Sequence, residues 1–181
     1  NLSSLLSIWD AGLAEVGANL ILARKNYIKK LSSLAKISHW ELSDGKENLS
    51  LSYECNTDGE TYDEIYSSLL SSFSSSVEKD RALMFTTKGP HRDDINISLN
   101  DTDARKFASQ GQQRSVSLSV KIAELTLFEH ETGEAPILLL DDVLSELDIR
   151  RKEKLLELSN RTQTMITCTE FDFKPSNLSK L

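Results

Sequence analysis

A chain of 181 residues with 39% hydrophobic and 27% charged content has the make-up of a soluble globular protein, large enough for one sizeable domain or for a domain and part of another. The formal charge of -7 argues against a surface that coats nucleic acid along the whole chain, though it leaves room for a local basic patch. Cys55 and Cys168 lie far apart in sequence and form neither a disulfide framework nor a metal-spacing pattern, which points to a reducing, cytoplasmic setting. No unbroken apolar run approaches the roughly 18 residues of a membrane helix, and the opening NLSSLLSIWD has no basic segment ahead of an apolar core, so neither a membrane partner nor a secretory signal is expected. The absence of an initiator Met hints at an excised fragment.

Residues 2 to about 39 read as helical. Trp9, Leu13, Val16 and Leu20 recur at spacings of three and four, as on one helix face, and Ile28, Leu31, Leu34 and Ala35 continue such a face. Arg24, Lys25, Lys29, Lys30 and Lys36 decorate this region; they read as a solvated face, with nucleic-acid contact as the alternative. A turn at Asp44-Gly45 precedes the alternating Leu49, Leu51, Tyr53 and Cys55 of a half-buried strand. Thr61 to about Ala82 reads as a second long helix, with Tyr62, Ile65, Tyr66, Leu69, Leu70 and Phe73 as its apolar stripe. Its second half is serine-rich, which weakens helix propensity.

Near Met84 the character changes. A short strand is expected before Gly89-Pro90-His91-Arg92-Asp93-Asp94, and a second where Ile95, Ile97 and Leu99 alternate. After a polar turn at Asn100 to Asp103, a strong helix runs from Gly111 to about Glu131. Ile137 to Leu140 is a continuous apolar run, as expected of a strand buried on both faces. A charged helix from Ile149 to Leu158 and a strand from Gln163 to Cys168 close the pattern. The order strand, strand, helix, strand, helix, strand suits an α/β sheet with helical crossovers. Residues 1–83 are expected to form a mainly helical lobe and 84–181 the sheet-bearing part.

Two segments carry chemistry. Asp141 and Asp142 follow four apolar residues, so two carboxylates stand at the C-terminal edge of a buried strand, where ligands bind in open α/β sheets. Mg²⁺ is the natural counter-ion, because it takes oxygen ligands alongside waters and phosphates. The first acid can hold the metal and the second can orient or deprotonate a water. The plainer alternative is two acids that begin a loop. The second segment is Ser109-Gln110-Gly111-Gln112-Gln113-Arg114, at the start of a helix, where unpaired N–H groups and the helix dipole attract phosphate. Ser109 and Gln112 also fit a capping box. Capping leaves unexplained a Gly in the first turn, at a cost of roughly 1 kcal/mol against Ala.

The two segments are joined by one helix and a Gly-Glu-Ala-Pro connection, and together they are far more specific than either alone. SQGQQR resembles the signature motif of ABC-type ATPases, ILLLDD their Walker B strand, and Ser145 to Asp148 their D-loop. GPHRDD, FASQGQQRS and LLLDDVLSELD, in that order, are very similar to the bacterial RecF family of DNA replication and repair proteins, densely from Thr87 to Asp148. The resemblance implies an ABC-type P-loop NTPase sheet, incomplete here, with flanking helices and a helical arm lobe. It implies Mg²⁺ on Asp141 and catalysis by Asp142, whose side chain is one methylene shorter than the Glu of many ABC ATPases and would favour slow hydrolysis. Ser109, Gln110, Gly111 and Gln112 would lie at the γ-phosphate of ATP bound to a second protomer, and Ser145 and Asp148 at the dimer interface. Arg114 would steady the signature helix or meet phosphate. The implied partners are DNA at single-strand/double-strand junctions, RecR, RecO and a second copy of the chain joined through ATP, in the service of RecA loading.

The sequence departs from the broad ABC pattern twice. No G-x-x-x-x-G-K-[ST] occurs, so the phosphate loop is expected upstream of residue 1, and the chain alone would be a non-catalytic interaction module. The switch His that ABC transporters carry after the last strand is also missing, which leaves Thr167, Thr169 or Glu170 to sense the γ-phosphate. His91 has either a turn-forming or a contact role. An SMC-like protein is the nearest rival, but long heptads should then precede the signature, and the strand-like Leu49 to Cys55 interrupts the helices.

Overall fold

The computed structural model describes residues 2–142, 148–159 and 162–168. In chain order the elements are α1 (Leu2–Leu42), β1 (Leu49–Glu54), α2 (Tyr62–Leu83), a 3₁₀ turn (Pro90–Arg92), β2 (Asp94–Leu99), β3 (Thr102–Asp103), α3 (Ala104–Phe107), α4 (Gln110–Thr132), β4 (Leu138–Asp141), α5 (Ile149–Ser159) and β5 (Thr164–Thr167). They form two compact units, one of residues 1–29 and 51–96, the other of residues 30–50 and 97–181. The expected division near residue 84 falls inside the first unit.

In the first unit α1 packs on α2. Ala14, Ala18 and Ile21 meet Ile65, Leu69 and Phe73 in one buried cluster. The α1 stripe is built of small residues because the helices come close: a Cβ on Gly17 would lie 3.0 Å from Leu69 Cδ1. This corrects the sequence reading, for Trp9, Leu13, Val16 and Leu20 are exposed. The first half of α1 is apolar on more than one side, and the side with the smaller residues permits the closer approach. The helix also reaches a mean hydropathy of 1.4 over 18 residues, enough by length and composition to cross a membrane. Scattered polar residues interrupt the apolar run, and Ala14, Ala18 and Ile21 of this stretch are buried against α2.

The serine-rich second half of α2 is helical after all. Thr61 caps its N-terminus in a capping box with Glu64, and Ser76 Oγ is satisfied by Phe73 O and Asp80. The short strand expected near Met84 is not formed. Met84 ends α2 in the left-handed region, and Asp80 accepts from the backbone N–H and the hydroxyl of Thr87, which draws the chain into a turn.

The second unit holds the β4–α5–β5 crossover. β4 and β5 pair in parallel, with Leu138 opposite Thr164 and Asp141 opposite Thr167. Leu138 and Leu140 pack with Leu42, Leu118, Ile122 and Leu155. Full burial of one such side chain is worth about 1.5–3 kcal/mol. Leu139 and Ile137 are exposed, which corrects the expectation of a strand buried on both faces; one face of this pair is covered by helices and the other is open among the described residues. The expected strands therefore divide between two sheets: β1, β2 and β3 form a separate three-stranded sheet. The α/β character and the helix-rich first part stand.

Candidate functional site: the strand-edge acids and the signature turn

Asp141 ends β4 and is exposed at the carboxyl edge of the parallel pair. Its carboxylate accepts from the hydroxyl of Thr167, the last residue of β5. Asp142 turns immediately into the left-handed region at φ 50°, a conformation that Asp tolerates better than bulky residues. Its N–H donates to Thr167 O and to Thr167 Oγ1, both at 3.1 Å. Both acids are thus pinned to Thr167, a pairing that joins a predicted metal ligand, a predicted base and a predicted sensor. The donor set of carboxylate and hydroxyl oxygens suits Mg²⁺. Among the described residues no group of three or more His, Cys, Asp or Glu side chains could hold a metal ion.

Ser109 is the N-cap of α4, as the capping-box alternative expected. Its hydroxyl accepts from Gln112 N at 3.3 Å, and its own N–H donates to Gln112 Oε1 at 2.9 Å. Gln113 Nε2 reaches back to the carbonyls of Ala104, Arg105 and Ala108. The turn before α4 is therefore held from both sides. Gln110 and Ser109 are exposed, and Gly111 is half-buried. A Cβ on Gly111 would meet only Arg151 Nη1, at an ordinary 3.6 Å, so packing does not require Gly there.

Asp148 caps α5. Its Oδ1 accepts from Arg151 N and its Oδ2 from Arg151 Nη1, both at 3.0 Å. Ser145, Thr169 and Glu170 lie outside the described residues.

Sequence reasoning missed the residues behind the signature turn. Gln112 Nε2 donates to Glu47 Oε1 at 2.9 Å. Glu47 Oε2 lies 2.9 Å from Nε2 of His39, whose Nδ1 is 2.9 Å from Ser119 Oγ. His39 is wholly buried. Burial pushes the Glu47 carboxyl up, but the hydrogen bonds from Gln112 and His39 and the electrostatic pull of His39 and Arg151 outweigh it and hold the group below the usual carboxylate value. The one available signal was a His on the apolar face that runs through Ile28, Leu31, Ala35 and Leu42, where burial demands polar partners.

In the GPHRDD segment, His91 of the 3₁₀ turn reaches back with Nε2 to Thr86 O at 2.9 Å. Asp93 accepts from Tyr53 OH at 2.5 Å. Burial, reinforced by Asp93 against the opposing Arg24, pushes the Tyr53 phenol up to about 12. Arg24 donates to Pro90 O, Lys25 to Gly59 O and Glu60, and Lys30 to Glu131. These three basic residues make contacts within the chain, where the sequence reading places them on a solvated face.

No family model matches the chain. It is 42% identical to the DNA replication and repair protein RecF of Halothermothrix orenii, across 93% of this chain and 46% of that protein. It is 45% identical to the protein of the same name from Lactococcus lactis subsp. lactis, across 97% of this chain and 48% of that one. A solved structure described as the recombination mediator protein RecF-ATP in the RecFOR pathway superposes with a TM-score of 0.82 at 36% identity, covering 94% of this chain and 46% of that chain. The chain spans about half the length of the curated relatives it matches. By sequence and by fold, this chain belongs to the RecF family.

Proposed function

We propose that this chain is the signature- and Walker B-bearing part of an ATP-dependent DNA-binding protein of replication and recombinational repair. The observation that carries the reading is the pairing of Asp141 and Asp142 with Thr167 at a parallel-strand edge, in a fold shared with a RecF-ATP structure. Asp141 would hold Mg²⁺, and Asp142 would orient the attacking water. Mg²⁺ supplies charge neutralisation at the transferred phosphoryl group when bound. Thr167, and Thr169 beyond it, would sense the γ-phosphate. Ser109, Gln110, Gly111 and Gln112 would receive the γ-phosphate of ATP held by a second protomer, because a capped helix start still directs N–H groups and a positive dipole outward. Ser145 and Asp148 would couple the two sites across the dimer.

ATP would thus drive dimerisation, with the unit of residues 1–29 and 51–96 acting as the arm lobe. The protein would work in the bacterial cytoplasm at single-strand/double-strand DNA junctions, with RecO and RecR, toward loading RecA. The test is Asp142→Asn in the full-length protein. Hydrolysis should disappear while ATP-driven dimerisation, followed by sedimentation, persists. Unchanged turnover would remove Asp142 from the mechanism.

A further inference from the structure

We propose that Glu47, seated by the buried His39, is a positioning residue that sets the signature turn for the neighbouring protomer's ATP; the inference rests on the reading above. The chain of contacts is continuous. Glu47 is anchored from behind by His39 Nε2 at 2.9 Å and by its own N–H, which donates to Ser43 Oγ at 3.2 Å. His39 is anchored in turn by Ser119 Oγ, which donates to Ser115 O in the interior of α4. The forward oxygen of Glu47 accepts from Gln112 Nε2.

A carboxylate is an acceptor only. It therefore admits one orientation of the Gln112 amide, with nitrogen toward Glu47 and oxygen toward the turn. That oxygen accepts the Ser109 N–H at 2.9 Å. Without Glu47 the amide is free to flip, and the Ser109 N–H loses its acceptor in half of the orientations. The Glu47 side chain is only 15% exposed, so water competes weakly for it. Glu47 also draws on Arg151 electrostatically. Arg151 holds Asp148 and flanks Gly111. One carboxylate from the α1–β1 turn thus acts on both elements proposed to work across the dimer.

The experiment compares Glu47→Ala, Glu47→Asp and Glu47→Gln in the full-length protein. Three quantities are read: monomer ATP affinity, ATP-driven dimerisation, and hydrogen exchange of the Ser109 amide. E47A leaves the Gln112 amide without its fixed acceptor, so it should weaken ATP-driven dimerisation by about tenfold, the equivalent of about 1.4 kcal/mol. Monomer ATP affinity should stay unchanged and exchange at Ser109 should quicken. E47D keeps the charge but cannot span His39 and Gln112 together, and should lose part of the assembly. E47Q can still present an oxygen to Gln112 with its NH₂ turned to His39 Nε2 as acceptor, and should restore most of it.

Wild-type assembly by E47A and E47D would overturn the proposal, as would an equal loss of monomer ATP affinity, which marks a merely structural role. If E47A does not fold, E47D and E47Q decide. If the wild type itself fails to dimerise with ATP, the proposed function falls. Glu47 is then judged by Ser109 exchange alone, and unaltered exchange in the variants refutes it.

Discussion

Gly111→Ala separates what the signature turn does for the fold from what it does for a ligand. Gly111 lies in the first turn of α4, and an added Cβ would touch only Arg151 Nη1 at 3.6 Å. The substitution thus removes backbone freedom from the unfolded chain without meeting a clash, a change worth about 0.4–1 kcal/mol in favour of folding. For a protein of this size 1 kcal/mol moves the melting temperature by about 2–4 °C, so a thermal melt of this chain should show a gain of roughly 1–4 °C. ATP-driven assembly of the full-length protein should move the other way. A methyl group at the helix start holds a phosphate off the N–H groups, and a loss of about tenfold in dimerisation corresponds to roughly 1.4 kcal/mol. A lower melting temperature would show that Gly111 serves the fold. Unchanged assembly would show that no ligand approaches it closely. Either result refutes the reasoning.

The two helix caps offer a paired control. Ser109→Ala and Thr61→Ala should each cost about 1 kcal/mol of stability in denaturant unfolding, but only the first should weaken ATP-driven assembly, because Thr61 caps α2. In the helical unit, Ile21→Ala or Leu69→Ala should cost about 2–5 kcal/mol, since both side chains are wholly buried. Trp9→Ala and Val16→Ala should stay within about 0.5 kcal/mol; a large loss at either would contradict the burial pattern of α1. Glu47 has a folded value below the ordinary carboxylate range. Its contribution is therefore present above the unfolded value and disappears as pH falls through the folded one. The gap in urea midpoint between the wild type and Glu47→Gln should be wide at about pH 7 and shrink toward about pH 3. A gap that widens on acidification would reverse the sign of the shift.

The sequence by itself determined the elements and the motifs that stand on them. A helix or strand follows from local period and caps, and these are written within a few residues: Thr61 with Glu64, Ser109 with Gln112, Asp148 before α5. The two acids at the end of β4 were legible for the same reason. Tertiary structure alone decided which apolar face of α1 is buried, because Trp9–Leu13–Val16–Leu20 and Ala14–Ala18–Ile21 are both regular stripes and only the approach of α2 selects the smaller one. It also decided that the strands divide between two sheets and that Leu139 faces outward, since a run of leucines does not state how many of its faces will be covered. Thr167 meets Asp141 only when parallel pairing brings the two strand ends side by side. Glu47 and His39 meet Gln112 and Ser119 across long stretches of chain. Hydrogen bonds of that kind depend on where folding carries each group, and no local pattern records it.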